Sequence, residues 1–220
     1  MRKTLLLMFV LLSCMAGSLS AKNANEDVHA LLFVEGGYSH TFGDLNSTAS
    51  QYFSSFQRQL RNGYTLQATA MGCFSDNLSA GVVAWKKGFS ASNDDPLHVA
   101  TENQDIKYIG VAMGGHEVIG SGLLFVCLSI GYTHFSDRYA IHDVRMDQVE
   151  EDRFTTGALG YLFEGKYMFC LGKYVMVGPG IGYFGFQTKN VNGDYWTDFL
   201  DDGAFRIDGF NITACLGLKF

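Results

Sequence analysis

Few residues in this chain stand in an arrangement that can do chemistry, and the most suggestive run is Tyr132-Thr133-His134-Phe135-Ser136-Asp137. His134 and Ser136 are two apart, so on a strand they share a face. A His beside a Ser can act as base and nucleophile, with Glu150 or Glu151 as the acid that orients the imidazole. The competing reading is two polar residues at a membrane interface. A second set is ionic. Glu35, Glu164, Lys166 and Lys219 interrupt otherwise uncharged alternating segments, beside many Gly and Thr. Such charges pair to fill an interior, or they line a narrow water path. A third set is the acidic connections, which can gather divalent cations or present Tyr195, Trp196 and Phe199 to a partner, although no EF-hand spacing is present. No P-loop, dinucleotide fingerprint, H-E-x-x-H or G-x-S-x-G occurs, and no cofactor is implied.

These residues are carried by period-two segments. Residues 210–220 show the pattern best: Phe210, Ile212, Ala214, Leu216, Leu218 and Phe220 fall on one face, Asn211, Thr213, Cys215, Gly217 and Lys219 on the other. Seven earlier segments read the same way, over about residues 28–42, 64–74, 78–90, 106–118, 123–135, 154–169 and 174–187. In the third, Val83, Trp85 and Phe89 are placed together on the apolar side. The connections alternate: long and polar at 43–61, 91–105, 137–153 and 188–204, short at 75–77, 120–122 and 171–173. Within the first long connection, Tyr52, Phe53, Phe56 and Leu60 have the spacing of a short amphipathic turn. Pro179 lacks an N–H for a ladder, so a bulge is expected there, eased by Gly178 and Gly180.

Arg2 and Lys3, the uncharged run 5–12 and the small residues Ala16, Gly17, Ser18 and Ser20 have the layout of a signal peptide over residues 1–20, leaving 21–220 as one domain. Leu11-Leu12-Ser13-Cys14 is an alternative lipidation motif. Removing residues 1–20 takes away two of 16 basic residues and none of 22 acidic ones, so the charge moves from -6 to -8. An acidic chain without a Lys/Arg cluster excludes nucleic acid as a partner. No stretch after the leader is long and apolar enough for a transmembrane helix. Cys73, Cys127, Cys170 and Cys215 lack paired metal or redox spacing and read as small filler on the less apolar faces.

Eight strands joined by alternating long and short connections predict an all-β fold, an eight-stranded antiparallel transmembrane barrel with Glu35, Glu164, Lys166 and Lys219 in a plugged lumen. A soluble barrel of the lipocalin kind would turn those less apolar faces to solvent and carry more Lys, Asp and Gln on them. Aromatics near the strand ends, among them Tyr38, Phe42, Tyr64, Phe74, Trp85, Phe89, Tyr167 and Phe220, suit the two interfacial girdles. The alternating Phe210, Ile212, Leu216, Leu218 and Phe220 resemble the C-terminal assembly signal of Gram-negative outer-membrane barrels. With the leader and the Gly178-Pro179-Gly180-Ile181-Gly182-Tyr183 patch, the chain resembles small outer-membrane barrels of the OmpA/OmpX kind, particularly Bacteroidetes-like versions. That resemblance implies export to the outer membrane, contact with its lipid or lipopolysaccharide, handling by the barrel-assembly machinery, and a structural or surface-interaction role through acidic loops. His134-x-Ser136 is similar to the H-x-S pattern of lipid A deacylase barrels, and departs from it where Asp137 and Arg138 replace the Asn and small residue that should follow.

Overall fold

The computed structural model describes residues 28–43, 58–94, 98–120, 122–171, 173–188 and 205–220. The segment 1–20 read as a leader, with Cys14, and Tyr52, Phe53, Phe56 and the 189–204 connection with Asp194, Tyr195, Trp196 and Phe199 lie outside them. The described chain is almost wholly strand: β1 (Ala30–Gly43), β2 (Asn62–Cys73), β3 (Leu78–Asp94), β4 (His98–Ile119), β5 (Gly122–Asp143), β6 (Gln148–Cys170), β7 (Val175–Thr188) and β8 (Phe205–Lys219). Each pairs antiparallel with its sequence neighbours, and β8 returns to β1 to close the barrel. No strand keeps an unpaired edge along the closed part, which is what an apolar solvent demands of a sheet.

The stagger follows from the pairing. A trace from Ala30 to Gly72, Ala80, Met113, Leu128, Phe163, Tyr183 and Phe210 comes back to β1 at His40, ten residues further along. Eight strands with that stagger tilt by about 40° and leave room inside for side chains only. The seam is clasped at its lower end, where Phe220 N donates to Ala30 O at 3.0 Å and Ala30 N to Phe220 O at 3.2 Å.

The period-two pattern decides the faces. Outward residues are apolar and exposed through the middle of the wall: Val34 at 64%, Ile109 at 62%, Val111 at 70% and Leu159 at 73%. Tyr38, Tyr64 and Tyr132 rim this band on the outer side, with Tyr161 and Tyr183 in contact beside them at 6.0 Å. Phe74, Phe169, Tyr174 and Phe220 rim it on the other, again exposed. A soluble barrel cannot show water such a belt, which is far larger than the patches tolerated on monomeric surfaces. Outward-facing Ile212, Leu216, Leu218 and Phe220 belong to it, and Phe210 packs against Tyr38 and Phe42.

Several expectations are corrected. Val83, Trp85 and Phe89 face inward, so Trp85 and Phe89 are not girdle residues. The lumen needed large apolar fillers, and Trp85 stacks there on Tyr108 with ring centroids 5.1 Å apart. At Pro179 there is no bulge: pairing with β6 lapses between Lys166↔Gly180 and Phe169↔Val177 and resumes in the same register, while the β8 ladder runs through Pro179↔Ala214. The missing N–H costs a ladder bond without inserting a residue. Much of the two central long connections is strand as well. β3 runs to Asp94, β4 from His98, β5 to Asp143 and β6 from Gln148, leaving only residues 144–147 as the turn. Their outward residues turn polar because they have risen past the apolar band.

β4, β5 and β6 are 22, 22 and 23 residues long, against 14 for β1 and 12 for β2. Above the closed part, β3 to β6 therefore continue as a four-stranded wall. Residues 58–60 are helical and bury Leu60 at the foot of it. Gln59 there accepts from Ser92 N at 3.0 Å and donates to Ser92 O at 3.2 Å.

Closure depends on backbone approach at Gly37, where an added Cβ would lie 2.1 Å from Ile212 O. Gly37→Val is expected to part β1 from β8 and abolish the folded, heat-sensitive gel form. Gly165→Ala, whose Cβ would meet nothing nearer than 4.0 Å, is expected to keep it.

Candidate functional site

Three groups of side chains are brought together. The first fills the middle of the lumen. Glu35 on β1 and Glu164 on β6 are both 3% exposed, and Lys166, two residues from Glu164 on the same face, meets both. Its Nζ lies 2.7 Å from Glu35 Oε1 and contacts Glu164 Oε1. Gln67 Nε2 donates to Glu35 Oε1 at 3.1 Å and to Glu164 Oε2. Thr213 Oγ1 donates to Glu35 Oε2 at 3.0 Å, and the thiols of Cys215 and Cys127 reach Glu35 Oε2 and Glu164 Oε1 at 3.3 Å each. All four carboxylate oxygens are engaged, as two buried anions facing one cation require. Cys215 and Cys127 are free thiols that serve as small polar filler.

Lys219 is only half-buried, four residues beyond Cys215 and so roughly 13 Å along β8 from this cluster. A lysine that was not singled out from the sequence, Lys87, is wholly buried instead. Its Nζ donates to Asn211 Oδ1, which also accepts from Ser39 Oγ at 2.9 Å, and sits 3.6 Å from the Phe184 ring centroid and 4.4 Å from that of Trp85. Adjacent lysines on a strand must point opposite ways, and the inward alternation of Val83 and Trp85 selects Lys87.

The second group stands in the upper wall. Gln104 on β4 opposes Asp137 on β5, and its Nε2 donates to Asp137 Oδ2 and to Glu102 Oε1, both at 3.1 Å. Glu102, Gln104 and Asp137 are 1%, 2% and 4% exposed. The outward neighbours at this level, Asn103, Asp105, Ser136 and Arg138, are hydrophilic, so these acids lie clear of the apolar band. Burial, and after it the charge of Glu102, pushes the Asp137 carboxyl well above the usual carboxylate range.

The third group is outside. Lys86 directly opposes Lys107, Lys107 opposes His134, and Arg138 opposes Arg153. Like charges set face to face across a ladder repel. Asp105, 3.3 Å from Lys86, and Glu151, 3.9 Å from Arg138, offset this in part. His134 and Ser136 do share the outward face of β5, half-buried at the upper edge of the belt. Glu150 is not brought to them: it opposes Ile141, five positions beyond Ser136 and so roughly 17 Å along the strand, and its side chain lies outside the described residues. Glu151 opposes Ala140 and pairs with Arg138. The register thus gives His134 no orienting carboxylate from either candidate.

A scan against protein-family models gives no match, and a search of the curated proteins gives none either. Among solved structures, the chain is similar to Neisserial surface protein A (10% identity, 87% of this chain and 97% of that one, TM-score 0.48). It is likewise similar to the outer membrane protein OprG from Pseudomonas aeruginosa (13%, 90% and 99%, 0.48) and to Ail, the attachment invasion locus protein of Yersinia pestis (14%, 89% and 100%, 0.46). With TM-scores below 0.5, the barrel reading rests on the chain's own ladders.

Lys166→Met leaves two buried carboxylates without their cation and is expected to cost about 3–5 kcal/mol, read from urea unfolding in micelles. A triple variant that also carries Glu35→Gln and Glu164→Gln should recover much of that loss. A second expectation concerns pH. Because the folded Asp137 pKa is raised, its contribution is fully present below the unfolded value of about 4 and is lost as pH rises through the folded one. In chelator-containing buffer the unfolding midpoint should therefore fall with rising pH, and Asp137→Asn should flatten that slope.

Proposed function

We propose that this chain is an integral barrel of the outer membrane with a structural or surface-interacting role. The observation that carries this reading is the continuous outward belt of exposed apolar residues, rimmed by aromatics on both sides and crossing all eight strands. A chain that reaches that membrane must be exported, which agrees with the leader read at residues 1–20 and with the alternating apolar face of β8 as the mark presented to the barrel-assembly machinery. The OmpA/OmpX-like resemblance, in its Bacteroidetes-like form, goes with the same role.

The lumen works as a plug. Lys166 between Glu35 and Glu164, with the ring centroids of Phe33 and Phe125 5.0 Å apart beside them, occupies the lumen at mid-height. Exchange with the surroundings is thus confined to the outer surfaces. Just above the belt, Lys86, Lys107, His134, Arg138 and Arg153 face the level where the phosphates of outer-leaflet lipid lie. Such an anion would bridge the like-charged pairs Lys86↔Lys107 and Arg138↔Arg153. The acidic connections read from the sequence are the part of the chain proposed to meet a ligand.

Heat-dependent gel mobility of an outer-membrane fraction tests this directly. A faster band without boiling and a slower one after it are expected, whereas soluble protein with no shift overturns the reading. Val111→Arg at the middle of the belt is expected to destabilise the vesicle-inserted barrel by about 2–4 kcal/mol in urea titrations, and Val99→Arg above it by much less. Planar bilayers should stay electrically silent, and steady conductance contradicts the plug.

A further inference from the structure

We infer that a groove on the lipid-facing wall over β7, β8, β1 and β2, with Lys86 and Lys107 at its upper end, binds one phosphorylated acyl lipid of the outer leaflet. Given the outer-membrane reading above, on which this site rests, both ends of that lipid have a place. The tail follows from the register. On the outward face Leu66, Gly36, Ala214 and Pro179 stand in one row across four strands. Tyr64, Tyr38, Ile212 and Ile181 form the row above, and Ala68, Val34, Leu216 and Val177 the row below. Larger side chains thus flank a floor made by Gly36, Ala214 and the compact ring of Pro179. The hollow has a volume of about 620 Å³, with Val34, Leu66, Val177 and Leu216 as its walls. Glu35, Thr213 and Cys215 back it from the strands, their side chains committed to the lumen cluster. An added Cβ on Gly36 meets nothing nearer than Leu66 Cδ2 at 3.4 Å, so the floor is open there. Every outward side chain lining the groove is apolar, which makes it continuous with the belt that hydrocarbon covers.

The head follows from the same row. Beyond Leu66 it continues through Lys86 on β3, Lys107 on β4 and His134 on β5. Rows of a tilted sheet climb the barrel wall, so the groove leads from mid-belt up to the two lysines at the outer rim. From Pro179 to Lys86 is four strand spacings, about 19 Å, the reach of a long acyl chain. Lys86 and Lys107 oppose each other directly and offer one phosphate two charge-assisted hydrogen bonds, while Asp105, 3.3 Å from Lys86, shares that lysine with it. A phosphomonoester carries more than one negative charge at neutral pH and suits the pair better than a singly charged phosphodiester. A second copy of the chain is the rival occupant. Two barrels inserted in the same sense meet about a two-fold axis along the membrane normal, which sets groove against groove. Two facing hollows leave a void that close packing does not tolerate, whereas a single acyl chain fills one.

Native mass spectrometry of the refolded full chain, released from micelles after titration with lipid A, tests the site. Wild type should show one saturable lipid A adduct per barrel and hold phosphatidylglycerol more weakly. Lys86→Gln with Lys107→Gln should weaken the lipid A adduct by about tenfold or more, and Lys86→Arg with Lys107→Arg should keep it. Gly36→Leu fills the groove and should weaken the adduct by about tenfold as well. Gly72→Leu, lower on β2, where an added Cβ meets nothing nearer than Ala80 O at 3.9 Å, should leave it unchanged. Each variant is first checked for the heat-sensitive band. Equal lipid A adducts from wild type, the Gln pair and Gly36→Leu, with that band intact, overturn the site and leave the outer-membrane barrel standing. Equal retention of phosphatidylglycerol and lipid A overturns the phosphomonoester head. A protein dimer that Gly36→Leu abolishes, without a lipid adduct, gives the groove to a second copy and overturns the lipid site too. Absence of the band in wild type overturns the membrane reading beneath it.

Discussion

Hydrocarbon accepts no hydrogen bond, and from that one constraint most of this structure follows. A sheet exposed to lipid must satisfy its N–H and C=O groups within itself, which a strand array achieves only by returning to its own first strand. Here β8 meets β1 over thirteen consecutive pairs, Leu31↔Lys219 through Gly43↔Ile207, and Phe220 is tied to Ala30 beneath them. The seam is as fully paired as any interior ladder. The one lapse, beside Pro179, lies between β6 and β7 and spares the closing strand.

Closure at eight strands with a ten-residue stagger then dictates what the interior can be. The lumen has the width of its own side chains, so inward positions behave as a protein core. Phe33, Phe125, Phe135, Phe154 and Phe184 are almost completely buried there. A charge placed among them must be answered locally. Lys166 answers two glutamates, and Gln67, Thr213 and two thiols take up the remaining lone pairs. Higher up, beside wet outward residues, the amide of Gln104 is shared between the carboxylates of Glu102 and Asp137.

The sequence carried this architecture unevenly. Period-two alternation in β1, β5, β6 and β8 separates the face of Glu35, Glu164 and Lys166 from that of His134 and Ser136, although Phe33, Phe125 and Leu162 share the inward face with the charges. It misled at β3, whose inward Val83, Trp85 and Phe89 are more hydrophobic than the outward Ala80 and Ala84. Alternation reports that two faces differ, and it does not report which one lipid touches. In sequence the upper wall has the look of loop because its outward residues are charged, although Phe135, Tyr139 and Phe154 continue the inward stripe beneath them. Glu150 can serve as the acid that orients His134 only if that segment is irregular. In the ladder Glu150 opposes Ile141, seven positions beyond His134. The acid pair was invisible for a related reason: Glu102 and Asp137 are 35 positions apart, and only the β4–β5 register makes them neighbours.

The amide of Gln59 on Ser92 carries a consequence of its own. Above the closed part, β3 and β6 border a four-stranded sheet instead of a cylinder, and a sheet border invites strand addition. By accepting from Ser92 N and donating to Ser92 O, the Gln59 side chain imitates a peptide group of a neighbouring strand. It terminates the β3 border as a stopper would. A foreign strand seeking backbone partners on this wall is thereby turned away from one flank, and the sense in which another chain can extend the sheet acquires a handedness.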